Sequence, residues 1–154
     1  MKILSLDNLP KYSDGISMIE VLVAMAILVV GLLGAAGMQV SSMRSHQDGY
    51  ERTIALHQVS DMADRMRANK QAAIQGAYAI ANPVDPVCFN APAGCTAQQM
   101  AQFDVFSWNA DNLRLLTGGN GAVTAVLGAN GVFLITVNWI GRNGLETVAV
   151  SVMP

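Results

Sequence analysis

The sequence predicts an α+β fold: one long N-terminal helix packed against a small C-terminal antiparallel sheet. Three observations predict it. No proline occurs between Lys11 and Pro83, so a helix can run uninterrupted through that stretch. Val21 to Met38 is an apolar run without a charged residue, and the pattern turns amphipathic after Gln39. In the last third of the chain apolar and polar residues alternate with the period of a strand. The 154 residues suit one compact domain plus an anchor.

The apolar run amounts to roughly 27 Å of helix at about 1.5 Å per residue. With Ile16 to Ile19 added, it can cross a bilayer core of roughly 30 Å. What precedes it is not an ordinary secretory signal. The first 15 residues are polar and charge-balanced, with Lys2 and Lys11 against Asp7 and Asp14. A secretory signal has a basic start, a shorter apolar core and a small-residue cleavage site. Small residues do occur at Gly34-Ala35-Ala36-Gly37, so cleavage there stands as an alternative.

Glu20 sits just inside the start of this helix. A carboxylate within a membrane costs several kcal/mol unless it is paired or reaches the interface. The nearest bases are Lys11 before it and Arg44 well beyond it. Cleavage after Gly15 would create a partner, the free α-amine of Ile16, four residues from Glu20. In a staggered bundle that amine can reach the Glu20 of a neighbour, and such a pair would set axial register. The plain alternative is an acid that lies at the interface.

Gly15-Ile16-Ser17-Met18-Ile19-Glu20-Val21-Leu22-Val23-Ala24 resembles the processing motif of type IV prepilins and type II secretion pseudopilins. The resemblance implies a type IV pilin-like fold. It also implies that a prepilin peptidase cuts between Gly15 and Ile16 and methylates Ile16. Glu20 stands at the fifth mature position, the family's assembly residue. Ile16 replaces the more usual phenylalanine and is still apolar.

The helix is expected from Ser17 to about Ala73, on the order of 85 Å. Its second half carries Ala55, Val59, Met62, Met66 and Ala73 on one face. Asp48/Arg52 and Asp61/Arg65 are spaced for i,i+4 ion pairs on the polar side. Gly31, Gly34 and Gly37 recur every third residue, and two readings of them stand side by side. They form a face where neighbouring helices approach closely, or a weak point where the helix stretches on assembly. Gly49 is a second weak point. His57 and Asp61 could share a metal, but two ligands on an exposed face make a poor site, and His46 and His57 read as solvated helix polarity.

Gly76 to Cys95 reads as an irregular connector, broken by Pro83, Pro86 and Pro92. Its cysteines, Cys88 and Cys95, are too far apart for a CxxC redox or zinc motif. Outside the cytoplasm they are expected to form a disulfide worth roughly 2–3 kcal/mol; the alternative is two unrelated buried thiols. Thr96-Ala97-Gln98-Gln99 has the spacing of a capping box, so a short helix is expected next, burying Met100, Phe103 and Phe106. Trp108, Leu113, Leu115 and Leu116 are expected to continue the core. Gly118-Gly119-Asn120-Gly121 reads as a turn, since no Lys-Ser/Thr follows it to make a phosphate loop. Strands are expected at Ala122–Leu127, Val132–Ile140 and Leu145–Met153. The last two are joined by the turn Gly141-Arg142-Asn143-Gly144, with Val148, Val150 and Val152 on one face.

Several head motifs are similar to the PilV (type IV pilus modification protein) family of minor pilins. They are Asp104…Trp108…Leu113…Leu116, the Gly118-Gly119 turn, Ile135-Thr136-Val137-Asn138-Trp139 and Asp61-Met62-Ala63-Asp64-Arg65-Met66-Arg67. The resulting division is a leader at 1–15, a membrane and assembly segment at 16–38, an amphipathic helix at 39–75 and a periplasmic head at 76–154. The resemblance implies a minor pilin that primes type IV pilus assembly at the bacterial inner membrane, spanning it once. The subunit would end in or near the tip of the extracellular filament and support adhesion and twitching motility. Its implied partners are other minor pilins, the major pilin, the prepilin peptidase, the inner-membrane assembly platform and a tip adhesin.

Two other functions compete: a minor pseudopilin of type II secretion, and a tethered periplasmic binding domain that never assembles. No catalytic constellation, cofactor motif or metal-ligand cluster is apparent in the sequence. A net charge of -2, with 9 Lys+Arg against 11 Asp+Glu, offers no basic surface for nucleic acid.

Overall fold

A computed structural model describes residues 15–89, 92–128 and 131–154. The expected leader, apart from Gly15, lies outside the described residues. The chain divides into two compact units, one ending at Met43 and the other running Arg44–Pro154. The elements are α1 (Met18–Ala68), α2 (Lys70–Ile74), α3 (Ala97–Leu115), β1 (Asn120–Ala125), β2 (Phe133–Gly141) and β3 (Gly144–Val152).

In the first unit α1 starts at Ser17, whose carbonyl accepts from the amides of Glu20 and Val21 at 3.0 and 3.3 Å. No residue between Gly15 and Met43 is buried. The helix is long and apolar enough to cross a membrane. It runs unbroken through Gly31, Gly34 and Gly37, and a Cβ added at any of them would meet open space. These glycines therefore pack against nothing else among the described residues.

In the second unit α1 presents Ala55, Val59, Met62, Ala63 and Met66 to the core. The expected continuous helix to Ala73 is broken at Asn69, whose backbone leaves helical space at φ -115°, ψ 49°. Its side chain donates to the Ala97 carbonyl at 2.7 Å. The Asn69 amide still donates to the Arg65 carbonyl at 3.1 Å, so the side-chain bond is added to the local one. After α2, Gly76 takes φ 79°. The Gly76 and Ala77 amides close onto the carbonyls of Ala73 and Ala72 at 2.9 and 3.0 Å, a Schellman stop.

The connector then carries one deep anchor, Tyr78. Its ring is fully buried, and its hydroxyl donates to Asp104 Oδ2 at 2.7 Å. Arg65 completes the arrangement, with Nε on Asp61 at 2.9 Å and Nη1 donating to Ser107 at 2.8 Å. Burial first, and then the hydrogen bond to the Asp104 carboxylate, push the Tyr78 phenol well above its usual value. The Asp61/Arg65 pair is the one expected from the spacing. Asp48 departs from expectation: its ion pair is with Arg142, at 3.3 Å, rather than with Arg52. The β2–β3 turn supplies a competing guanidinium that helix spacing cannot foresee.

Thr96 caps α3 through the expected box. Gln99 N donates to Thr96 Oγ1 at 3.2 Å and Thr96 N to Gln99 Oε1 at 2.9 Å. The helix is longer than expected, and its length changes which residues face inward. Ala101, Val105, Trp108 and Asn112 form the buried stripe. Phe106, Leu113 and Leu115, expected in the core, fall off that stripe and are exposed, while Met100 and Phe103 are half-buried. Trp108 and Leu116 are buried as expected. The Trp108 indole N–H donates to the Gln58 carbonyl at 2.8 Å, tying α3 to α1.

The sheet is antiparallel in the order β1-β2-β3. Phe133, Ile135, Val137 and Trp139 alternate on its buried face. β1 begins two residues earlier than expected, so Gly121 belongs to the strand. A Cβ there would collide with the Trp108 ring, so the close approach of strand to helix requires glycine. Gly118 takes φ 63° in the turn before it. β3 is an edge strand. Val148 is buried, but Val150 is 37% exposed and Val152 only half-buried, because no further strand covers them. The expected valine face is thus only partly covered.

Candidate functional site

The sequence-predicted site residues fall in the two units, and each group has its own local logic. Gly15, Ile16 and Ser17 precede α1 without helical structure, and Glu20 lies in the first turn. Ile16 is 76% exposed. Ile16, Glu20, Val21, Ala24, Met25 and Leu28 line one shallow groove along the helix. The spacing of these residues is that of a single helix face. The groove is apolar except for one carboxylate near its N-terminal end.

Glu20 makes no ion pair with any described residue. The unsatisfied amides of a first helical turn present partial positive charge, and an acid there is stabilised by a few tenths to about 1 kcal/mol. Ser17-x-x-Glu20 has capping-box spacing, but the bond seen between the two is the backbone one, from the Glu20 amide to the Ser17 carbonyl at 3.0 Å.

Cys88 and Cys95 are joined in a disulfide with Cα atoms 5.0 Å apart. Cys88 is buried, and Phe89 stands edge-on to Phe103 of α3 at 4.4 Å between ring centres. The Asp85 carboxylate accepts from the Val87 amide at 2.8 Å. Val87 takes φ 50°, a region that β-branched residues rarely enter. The bridge, the aromatic contact and the Asp85 turn together fix this proline-rich segment against α3. His57 and Asp61 gain no third ligand: among the described residues no three His, Cys, Asp or Glu side chains gather as a metal site.

A long N-terminal helix with an exposed apolar start, followed by a small three-stranded antiparallel sheet, is a type IV pilin-like fold. Two family models match successive parts of the chain. Residues 10–36 match the prokaryotic N-terminal methylation motif. Residues 37–106 match the Tt1218-like family, described as type IV pilin Tt1218. Together they support the type IV pilin superfamily and a pilin function, in a pilus or a pseudopilus. That family is structural rather than enzymatic. The methylation motif and the apolar helix are consistent with a membrane-anchored pilin. No curated protein and no solved structure matches the chain.

Proposed function

We propose that the chain is a minor pilin of the PilV type that primes type IV pilus assembly and sits in or near the filament tip. The carrying observation is the adjacency of the two family matches, at 10–36 and 37–106, along a helix whose apolar start buries nothing inside its own unit. In this reading a prepilin peptidase removes residues 1–15 and methylates Ile16. Residues 16–38 hold the subunit in the inner membrane, with the head in the periplasm. The new α-amine, with a usual pKa near 8, is mostly protonated at neutral pH. It pairs with the Glu20 carboxylate of a neighbouring subunit inside an apolar bundle, where an unpaired acid is costly. Only processed subunits carry that amine, so only they enter in register. The partners are other minor pilins, the major pilin, the assembly platform and a tip adhesin, and the filament supports adhesion and twitching.

Mass analysis of the membrane form tests the processing. A chain that begins at methylated Ile16 supports the reading, and an intact Met1 in fully processed cells overturns it. The alternative is a minor pseudopilin of type II secretion, which shares the N-terminal segment. Deletion separates the two: loss of twitching with normal secretion favours the pilus, and loss of secretion with intact pili favours the pseudopilus.

A further inference from the structure

A second polar feature lies in the head, apart from the Glu20 groove. Arg44, Gln47, Asp48 and Glu51 follow one face of α1 and, with Thr117, Ile140, Gly141 and the turn residue Arg142, enclose a recess of about 250 Å³. That is about the room of eight waters at ~30 Å³ each, enough to admit a phosphoethanolamine group with space for accompanying water. Its charges are of both signs. Asp48 and Arg142 pair across it at 3.3 Å. Arg44 and Glu51 also line it, and neither makes an ion pair with a described residue. One cation and one anion are therefore left unspent around the same small space.

The position of Arg44 along the chain adds the second consideration. It is the first charged residue after Glu20. An apolar helix needs about 20 residues to cross the hydrocarbon layer. Counted from Glu20, that length ends near Val40. Arg44 follows by about 6 Å of helix rise, which is the depth of a headgroup layer.

We propose that this recess binds the headgroup of a phospholipid that joins a phosphate to a primary amine. Arg44 and the outer edge of the Arg142 guanidinium hold the phosphate, for which planar guanidinium groups are well matched. Glu51 accepts hydrogen bonds from the ammonium group. A quaternary ammonium has no N–H to offer it, and a headgroup without an amine leaves Glu51 unpaired, so the recess discriminates among lipids. Ile140, 56% exposed at the rim, faces the glycerol end. The inference rests on the membrane-anchored reading above.

Native mass spectrometry of the full chain, purified in detergent and exposed to phosphatidylethanolamine, phosphatidylglycerol and phosphatidylcholine in equal amounts, tests it. Phosphatidylethanolamine should be retained most. The Arg44→Gln/Arg142→Gln variant removes both phosphate contacts and should retain at least about tenfold less, since the loss of a single charge-assisted contact already gives about that factor. Glu51→Gln should keep lipid but lose the preference for the amine. It also serves if the double variant fails to fold, because Glu51 has no ion pair to break. Arg114→Gln, on exposed α3, is the control. Retention equal across the three lipids, or no different between the control and the variants, overturns the proposal. Displacement of lipid by free phosphoethanolamine at low concentration would assign the recess to a soluble ligand and overturn the lipid source. Membrane fractionation keeps the two readings apart. A chain absent from membranes refutes the anchor, whereas a chain present there without retained lipid refutes this inference alone.

Discussion

Between Gly15 and Met43 no side chain is buried, although almost every one is apolar. From Ala55 onward the same helix type, with a more polar sequence, buries Ala55, Val59, Met62, Ala63 and Met66 completely or nearly so. Hydrophobicity and burial thus run in opposite directions along α1. The amphipathic part has partners inside the chain: α3 through Trp108, the connector through Tyr78, and the sheet. The uniformly apolar part has none among the described residues, which is consistent with a membrane-anchored pilin. One half is a fold in itself.

That contrast is broken most directly at Glu20. Glu20→Gln keeps shape and removes charge. It should abolish incorporation into filaments while the unfolding midpoint of the head stays where it was. Immunoblots of sheared filaments, beside thermal unfolding of the detergent-solubilised chain, read both. Wild-type filament levels with Glu20→Gln would remove the pairing device.

The opposite change belongs to the head. Trp108→Ala removes a fully buried ring and the donor to the Gln58 carbonyl. A loss of about 3–5 kcal/mol of stability is expected, measured by denaturant unfolding, with membrane fractionation unchanged. A variant that loses membrane association in step with stability would show that the two regions are less independent than their burial implies.

A smaller effect tests the connector. Cys88→Ser with Cys95→Ser opens a short loop and should lower stability by about 2–3 kcal/mol on a chain-entropy account. The edge-on contact of Phe89 with Phe103 limits the loosening, so Trp108 fluorescence should stay native. A loss much below that range would mean that the aromatic contact and the Asp85 turn already hold the segment.

These regions also differ in how legible they were. The apolar run, Glu20, the Thr96 cap and the alternation in β2 depend on neighbours in sequence, and each could be read from spacing alone. The inward stripe of α3 could not, because it depends on where that helix ends. Once it reaches Leu115, positions 101, 105, 108 and 112 share a face, and Phe106 and Leu113 turn outward. The break at Asn69 needs the Ala97 carbonyl, and the partner of Asp48 needs a turn almost a hundred residues on. Tyr78 gave no signal at all: a tyrosine in a proline-rich connector reads as surface until Asp104 and Arg65 are placed around it.

The smallest expected effect is absent at neutral pH and appears only in alkali. Tyr78 is held as a neutral phenol by burial and by its bond to the Asp104 carboxylate, so its folded-state pKa lies above the unfolded one. Below the unfolded value near 10 both states keep the proton, and the full contribution is present. Above it the unfolded chain releases a proton that the folded chain still holds, so stability falls as pH rises toward the folded pKa. Spectrophotometric titration should show one tyrosine that does not ionise with the others until the head unfolds. Tyr78→Phe should lower stability by about 1 kcal/mol at neutral pH for the lost hydrogen bond. It should also flatten the alkaline limb of the unfolding midpoint. An unchanged alkaline limb in Tyr78→Phe would place the high-pH weakness of the head in other groups. It would leave Tyr78 as a packing residue whose hydroxyl only satisfies Asp104.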